Sequence, residues 1–231
     1  AIQFDATGGS GGSSSTWQNL TIGAHTIYAN DSTATPSNLT KYGYLYNWYA
    51  AKGISTTGTI ASTDTLNICP TGWHVPTDAE WTTLTTELGG ESVAGGKMKS
   101  TGTAYWNFPN SGATSGATNE SGFTGLPGGY RPTNTLGQNL TGTGHWWCSD
   151  YLAPFAANFF QLSWYSGAVV NSTFDTRTGI SVRWVKSSLL GNETFNNQLF
   201  NIYPNPVKDS LTIDCVNINN IANQPYNIIN A

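Results

Sequence analysis

Within the fourteen residues ICPTGWHVPTDAEW, Ile68 to Trp81, stand Cys69, His74 and Glu80. A thiol, an imidazole and a carboxylate at such short spacing are the raw material of nucleophilic catalysis, in which a base activates a nucleophile and a third group orients the base. The same segment nevertheless commits its carboxylate elsewhere. Thr77 and Glu80 form a T-x-x-E capping box, in which the Thr oxygen takes an orphan N–H of the first helical turn and the Glu reaches back to the cap. His74 falls between Trp73 and Val75 in a turn, where a structural hydrogen bond is the expected role. The other histidines are His25 and His145, the nearest acids in sequence are Asp78 and Asp150, and no G-x-S-x-G nucleophile motif occurs. Without C-x-x-C or H-x-x-H, a zinc site is not expected. No catalytic residue is assigned.

Binding has more material. The chain holds 9 Trp, 11 Tyr and 9 Phe, and aromatic faces stack on ligand rings. Most of these rings must build the core in a chain with a single Met; Trp106, Tyr130, Trp146 and Trp164 are the candidates for ligand stacking. Glu120, Asp150 and Asp175 are weak candidates for Ca²⁺, since nothing in their spacing demands the ion. No other cofactor is implied.

Several elements must position these groups. Pro76 blocks an earlier start, Trp81, Leu84 and Leu88 make a one-sided stripe, and Gly89-Gly90 supplies a left-handed exit, so Thr77 to Leu88 is predicted as an amphipathic helix. Tyr44 to Ala51 (YLYNWYAA) reads as a second, aromatic helix. Thr21 to Tyr28, His145 to Cys148, Asn158 to Trp164, Ala168 to Phe174 and Ile180 to Val185 read as strands, the last with Ile180, Val182 and Trp184 on one apolar face. Two helices followed by short, mostly antiparallel strands predict an α+β domain.

Composition limits the function classes. Only 10% of residues are charged, against roughly 25% in average soluble domains. The net charge of −4, with no Lys/Arg cluster, argues against nucleic acid as a partner. No apolar run approaches the roughly 18 residues of a membrane span. Such polar, uncharged composition suits an exported protein, and the opening at Ala1 without Met or apolar leader suggests that a signal peptide has been removed. In an exported chain Cys69 and Cys148 are expected to form a disulfide. The bridge would close a loop of about eighty residues and contribute about 4 kcal/mol.

Four divisions follow: a Gly/Ser-rich N-terminal arm (1–16), a domain (17–186), a linker (187–200) and a C-terminal β tail (201–231). Taken in order, KYGYLYNWYAA, ICPTGWHVPTDAEW, GGKMKS, SGFTGLPGGYRP, GHWWCSD and TGISVRWVK closely resemble the Fibrobacter succinogenes major paralogous domain, common in secreted proteins of Bacteroidetes and Fibrobacteres. The resemblance implies a fold like those of C-type lectins and formylglycine-generating enzymes, and little about chemistry. In that family the final strand usually reads SVRCVK, its Cys the natural partner of the one in the ICP block. Here Trp184 holds that position, and Cys148 in WWCSD is the expected substitute. NIYPNPVKDSLTID, Asn201 to Asp214, resembles the start of a type IX secretion sorting domain, with the chain ending partway through it. Of the D-S/T-x motifs that Bacteroidetes modify, Ser32, Thr65 and Ser210 are candidates for O-glycans.

These observations lead to an expected secreted, non-catalytic cell-surface or extracellular protein, structural or adhesive, able to self-assemble into fibres through its ends. Its partners would be further copies or host and matrix glycans, and the type IX export machinery through the tail. Carbohydrate binding is the alternative, and an oxidase related to formylglycine-generating enzymes a remote one.

Overall fold

The computed structural model describes residues 17–30, 35–53, 68–107, 116–153 and 155–187, with the strand backbone of 2–3, 200–203 and 212–215. Its helices are α1 (Asn38–Tyr42), α2 (Trp48–Lys52), α3 (Asp78–Glu87) and α4 (Glu91–Met98). The strands are β1 (Ile2–Gln3), β2 (Ala24–Thr26), β3 (Leu45–Tyr46), β4 (Trp73–His74), β5 (Thr143–Ala153), β6 (Ala156–Ser163), β7 (Val169–Asp175), β8 (Val185–Lys186), β9 (Phe200–Tyr203) and β10 (Thr212–Cys215). The class is α+β, with four α-helices among the described residues rather than two, and none is long and apolar enough to cross a membrane.

The capped helix forms as its signals require. Thr77 accepts from the Glu80 N–H, Glu80 accepts from the Thr77 N–H, and both halves of the capping box are present. Trp81 is buried, with Leu84 and Leu88 packed at its side. The aromatic helix begins later than its sequence suggests. Asn47, fully buried, accepts the Ala50 N–H as N-cap and also the Ala24 N–H, while its amide donates to Ile22 O. An Asn so engaged starts a helix rather than sitting inside one. Leu45–Tyr46 upstream is therefore extended, paired antiparallel with Thr26 and His25.

Two helices carry weaker signals. In α1, Ser37 is the cap and accepts the Thr40 N–H. In α4 two adjacent glycines argue against helix. They are there for packing: a Cβ on Gly95 would lie 2.4 Å from the Ala168 carbonyl oxygen.

The main sheet runs β5-β6-β7, antiparallel throughout. Successive side chains alternate faces, so Trp147, Ala157 and Phe159 join Trp48, Tyr49, Val75 and Ile180 in one apolar cluster. Trp146, Cys148, Phe160 and Leu162 join Trp81, Ala94, Met98 and Trp106 in another. Both faces are covered, which is why the strands read WW and FF instead of alternating with polar residues. Trp17, Trp48, Trp81, Trp106 and Trp147 are among the largest fully buried side chains. Truncating such a ring to Ala costs about 3–5 kcal/mol.

Residues 179–181 do not form the long strand expected over 180–185. Ile180 bridges antiparallel to Tyr46 and Ser181 parallel to Trp146, joining the small β1-β2-β3 sheet to the main one. The chain then turns outward to β8, which pairs with β4. Trp184 is 43% exposed, so the expected apolar face stops short of it.

Lys99 is buried and its ammonium donates to Ser163 O and Ser166 O, each at 2.8 Å, fastening the turn after β6 to the end of α4. Burial lowers its pKa to about 8. The chain divides into two compact units, Ala1–Lys186 and Ser187–Ala231. In the second, β9 and β10 form an antiparallel pair, Thr212 opposite Tyr203. The glycan candidates Ser32, Thr65 and Ser210 lie outside the described residues, as does most of the Gly/Ser-rich arm.

Candidate functional site

The segment that opened the sequence as a catalytic candidate resolves into a fastening. His74 Nε2 lies 2.8 and 2.9 Å from the two Glu80 oxygens, and the same carboxylate accepts from the Thr77 N–H and hydroxyl. Burial works to raise the Glu80 pKa; the bonds from Thr77 and His74 outweigh it and hold the carboxyl below its ordinary value. His145 is enclosed by Tyr130, Phe159 and Phe174, and burial depresses its pKa to about 4, so it is neutral at physiological pH.

The expected Cys69–Cys148 disulfide is not formed. Strand alternation decides it: Cys148 points to the face of β5 that packs on Trp81 and Met98, while Cys69 packs against the cluster on the opposite face, with Trp147. Only a shift of one residue would turn the thiol to the other face, and it would turn Trp146 and Trp147 with it, exchanging the two buried sets. Burial pushes the Cys69 thiol up to about 11 and that of Cys148 further, with Asp78 and Asp150 adding to the effect. Such thiols are poor nucleophiles.

The three calcium candidates are not brought together. Glu120 pairs with Lys97 at 3.5 Å, Asp175 holds Arg177, and Asp150 accepts the Asp78 N–H at the start of α3. Among the described residues no three His, Cys, Asp or Glu side chains converge. The stacking candidates also scatter. Trp106 is buried, its indole donating to Ser100 Oγ and Gly125 O. Tyr130 stacks on Phe174 and donates its hydroxyl to Gln138. Trp164 packs against the second cluster, and of the four only Trp146 lines a described cavity.

A different set of rings makes a cleft. Tyr42 closes α1, Tyr44 and Tyr46 follow beyond the turn at Gly43, and the three line a cavity of about 210 Å³ with Phe123, Trp146, Ser181, Arg183 and Trp184. A second cavity of about 320 Å³ lies beyond Phe123, Arg183 and Trp184, against Pro76, Glu80, Trp81 and Leu84 of the α3 end. Arg183 forms the partition. Its guanidinium carbon lies 4.4 Å from the Phe123 ring centre and its terminal N–H donates to Phe123 O. Burial lowers its pKa.

The tyrosine cleft combines ring faces with unused polar groups. The hydroxyls of Tyr42, Tyr44, Tyr46 and Ser181 meet no hydrogen-bond partner among the described residues. Few convergent polar groups in a concave, ring-lined surface describe a small-molecule site. Its sequence signal is the cluster of three tyrosines in YGYLY, of which Tyr44 and Tyr46 have the i, i+2 spacing of extended chain and Tyr42 ends the helix before them.

The family described as the Fibrobacter succinogenes major domain matches residues 10–186. No curated protein and no solved structure matches the chain.

Proposed function

This chain belongs to the Fibrobacter succinogenes major domain family, and from that premise we propose that it is an exported, non-catalytic adhesive protein that binds glycans through the tyrosine cleft. The observation that carries the reading is the cleft itself: three tyrosines, Trp146 and Trp184 around a cavity of about 210 Å³, with tyrosine hydroxyls that meet no partner among the described residues. That volume lies below the roughly 300–1,000 Å³ of drug-sized pockets and suits a single sugar ring. Support for a non-catalytic role comes from the engagement of Glu80 by the helix cap and from two thiols on opposite faces of a sheet, an arrangement unlike the paired cysteines of an oxidase. The reading includes a fold akin to C-type lectins, export by the type IX route through the tail, and a cell-surface or extracellular location; the sparse charge and the NIYPNPVKDSLTID motif support these.

The test is retention of the full chain on a glycan array, repeated with Trp184→Ala and Tyr44→Ala. Trp184 is 43% exposed, so its removal leaves the core intact. Binding that disappears in both variants is the expected result; a blank array, or binding indifferent to both changes, ends the proposal.

Self-assembly is a second reading, favoured by one observation. Ile2–Gln3 pairs in parallel with Ala24–His25 as an outer strand of the small sheet, joined to the domain by a Gly/Ser-rich run. A short strand at the edge of a sheet can add to a neighbour's sheet as readily as to its own.

A further inference from the structure

We propose that the tyrosine cleft selects an acidic sugar, a hexuronate residue, whose carboxylate pairs with Arg183 while its ring lies among the tyrosines and Trp184. This deepens the glycan reading and rests on it.

The cations of the domain are otherwise accounted for. Lys97 pairs with Glu120 and Arg177 with Asp175. Lys99 is buried against two carbonyl oxygens, and Arg131 is buried over the Trp17 ring. Lys41, Lys52 and Lys186 line neither cavity. Arg183 differs from all of these: it lines a concave surface, and among the described residues it forms no ion pair.

Among the described residues no Asp or Glu lines the tyrosine cleft. The nearest lining acid is Glu80 in the adjoining cavity, already held by His74 and Thr77. The guanidinium is fixed in place by the Phe123 ring beneath it and by the Phe123 carbonyl, so binding an anion orders little that is not already ordered. One terminal nitrogen is used in that bond, and the remaining N–H groups are open to a planar carboxylate, the geometry to which the guanidinium fork is matched. Arg183 is exposed at the rim of the cleft, so the pair gives charge selectivity and is screened by salt. Around it, the unpartnered hydroxyls of Tyr42, Tyr44, Tyr46 and Ser181 answer the hydroxyl groups of a sugar, which neither a free carboxylate nor an apolar acid would engage.

The experiment titrates the full chain, by calorimetry and by intrinsic tryptophan fluorescence, with a galacturonic acid trimer, the matched neutral galactose trimer and sodium acetate. The acidic trimer is expected to bind at least about tenfold more tightly than either the neutral trimer or acetate, and to weaken with added salt. Arg183→Gln should bring the acidic trimer down to the neutral trimer's affinity, and Arg183→Lys should recover only part, because an ammonium cannot make the two-pronged contact. Should Arg183→Gln not fold, the Arg183→Lys and salt arms still decide. Equal binding of the two trimers overturns the acidic specificity and leaves the glycan site standing. Acetate matching the acidic trimer overturns it too, as a bare anion site. Failure of both trimers to bind overturns this proposal together with the glycan reading beneath it.

Discussion

Glu80 serves a helix end and a histidine with one carboxylate. Its oxygens accept from Thr77 and lie within hydrogen-bond distance of His74. The folded-state pKa of Glu80 is lowered, so its contribution to stability is fully present above the ordinary value near 4.5 and is lost as pH falls through the lower, folded value. Replacing it by Gln should therefore cost no more than about 1 kcal/mol at neutral pH, the carboxylate being 41% exposed. The difference in thermal midpoint between Glu80→Gln and the parent should narrow as pH falls below 4.5; a gap independent of pH would show that the charge is not what matters. Cys148 teaches the complementary lesson about single residues. Its neighbour Trp147 lies on the other face of β5, and one position of offset separates a thiol beside Cys69 from one buried with Trp81.

At the scale of elements, α4 is held by absence of side chain. Gly95 sits where a Cβ would come 2.4 Å from Ala168 O and 2.8 Å from Gly167 O, and the adjacent Gly96 N–H donates to Gly167 O at 2.9 Å. Helix propensity alone favours Ala over Gly by about 1 kcal/mol. Forcing the turn before β7 away from the helix costs about 1–3 kcal/mol, so Gly95→Ala should lower the urea midpoint despite being the better helix former. A raised midpoint would mean that the turn yields freely. The same competition between local preference and packing explains what was legible. The capping box of α3 is a local signal and marks its start correctly. The glycines of α4 are a local signal against helix that tertiary contact overrides. YLYNWYAA contains both a strand and a helix, divided by the buried side-chain bonds of Asn47. Two of those bonds, to Ala24 and Ile22, join residues more than twenty positions apart, out of reach of any pattern within the segment.

For the molecule as a whole, two surfaces carry the proposed adhesion. The tyrosine cleft would meet a ligand, and the β1 strand on β2 would meet another copy. Exchange of the β1 strand from copy to copy in a heterologous arrangement runs on as a fibre when the rotation does not close. Deleting residues 1–16 from the full chain should abolish any polymers seen by light scattering while the far-ultraviolet circular dichroism of the domain persists. A parent chain that is already a monodisperse monomer, with nothing to abolish, ends the assembly reading. Salt should leave assembly through backbone pairing almost unchanged, whereas it weakens a carboxylate on Arg183.

The amino-acid sequence by itself determined the family, the α+β class, the capped helix after Pro76 and the presence of strands around WW and FF. Each of these depends on residues close together along the chain, where capping, turn chemistry and apolar runs act directly. Only the tertiary structure decided which rings are core and which are surface, that Cys69 and Cys148 face away from each other, and that Tyr42, Tyr44, Tyr46, Phe123, Ser181 and Arg183 share a cleft. The reason is physical. A sheet buried on both faces erases the alternation from which facing could be read, and a site gathered from segments more than a hundred residues apart exists only once Ile180 and Ser181 have bridged the two sheets.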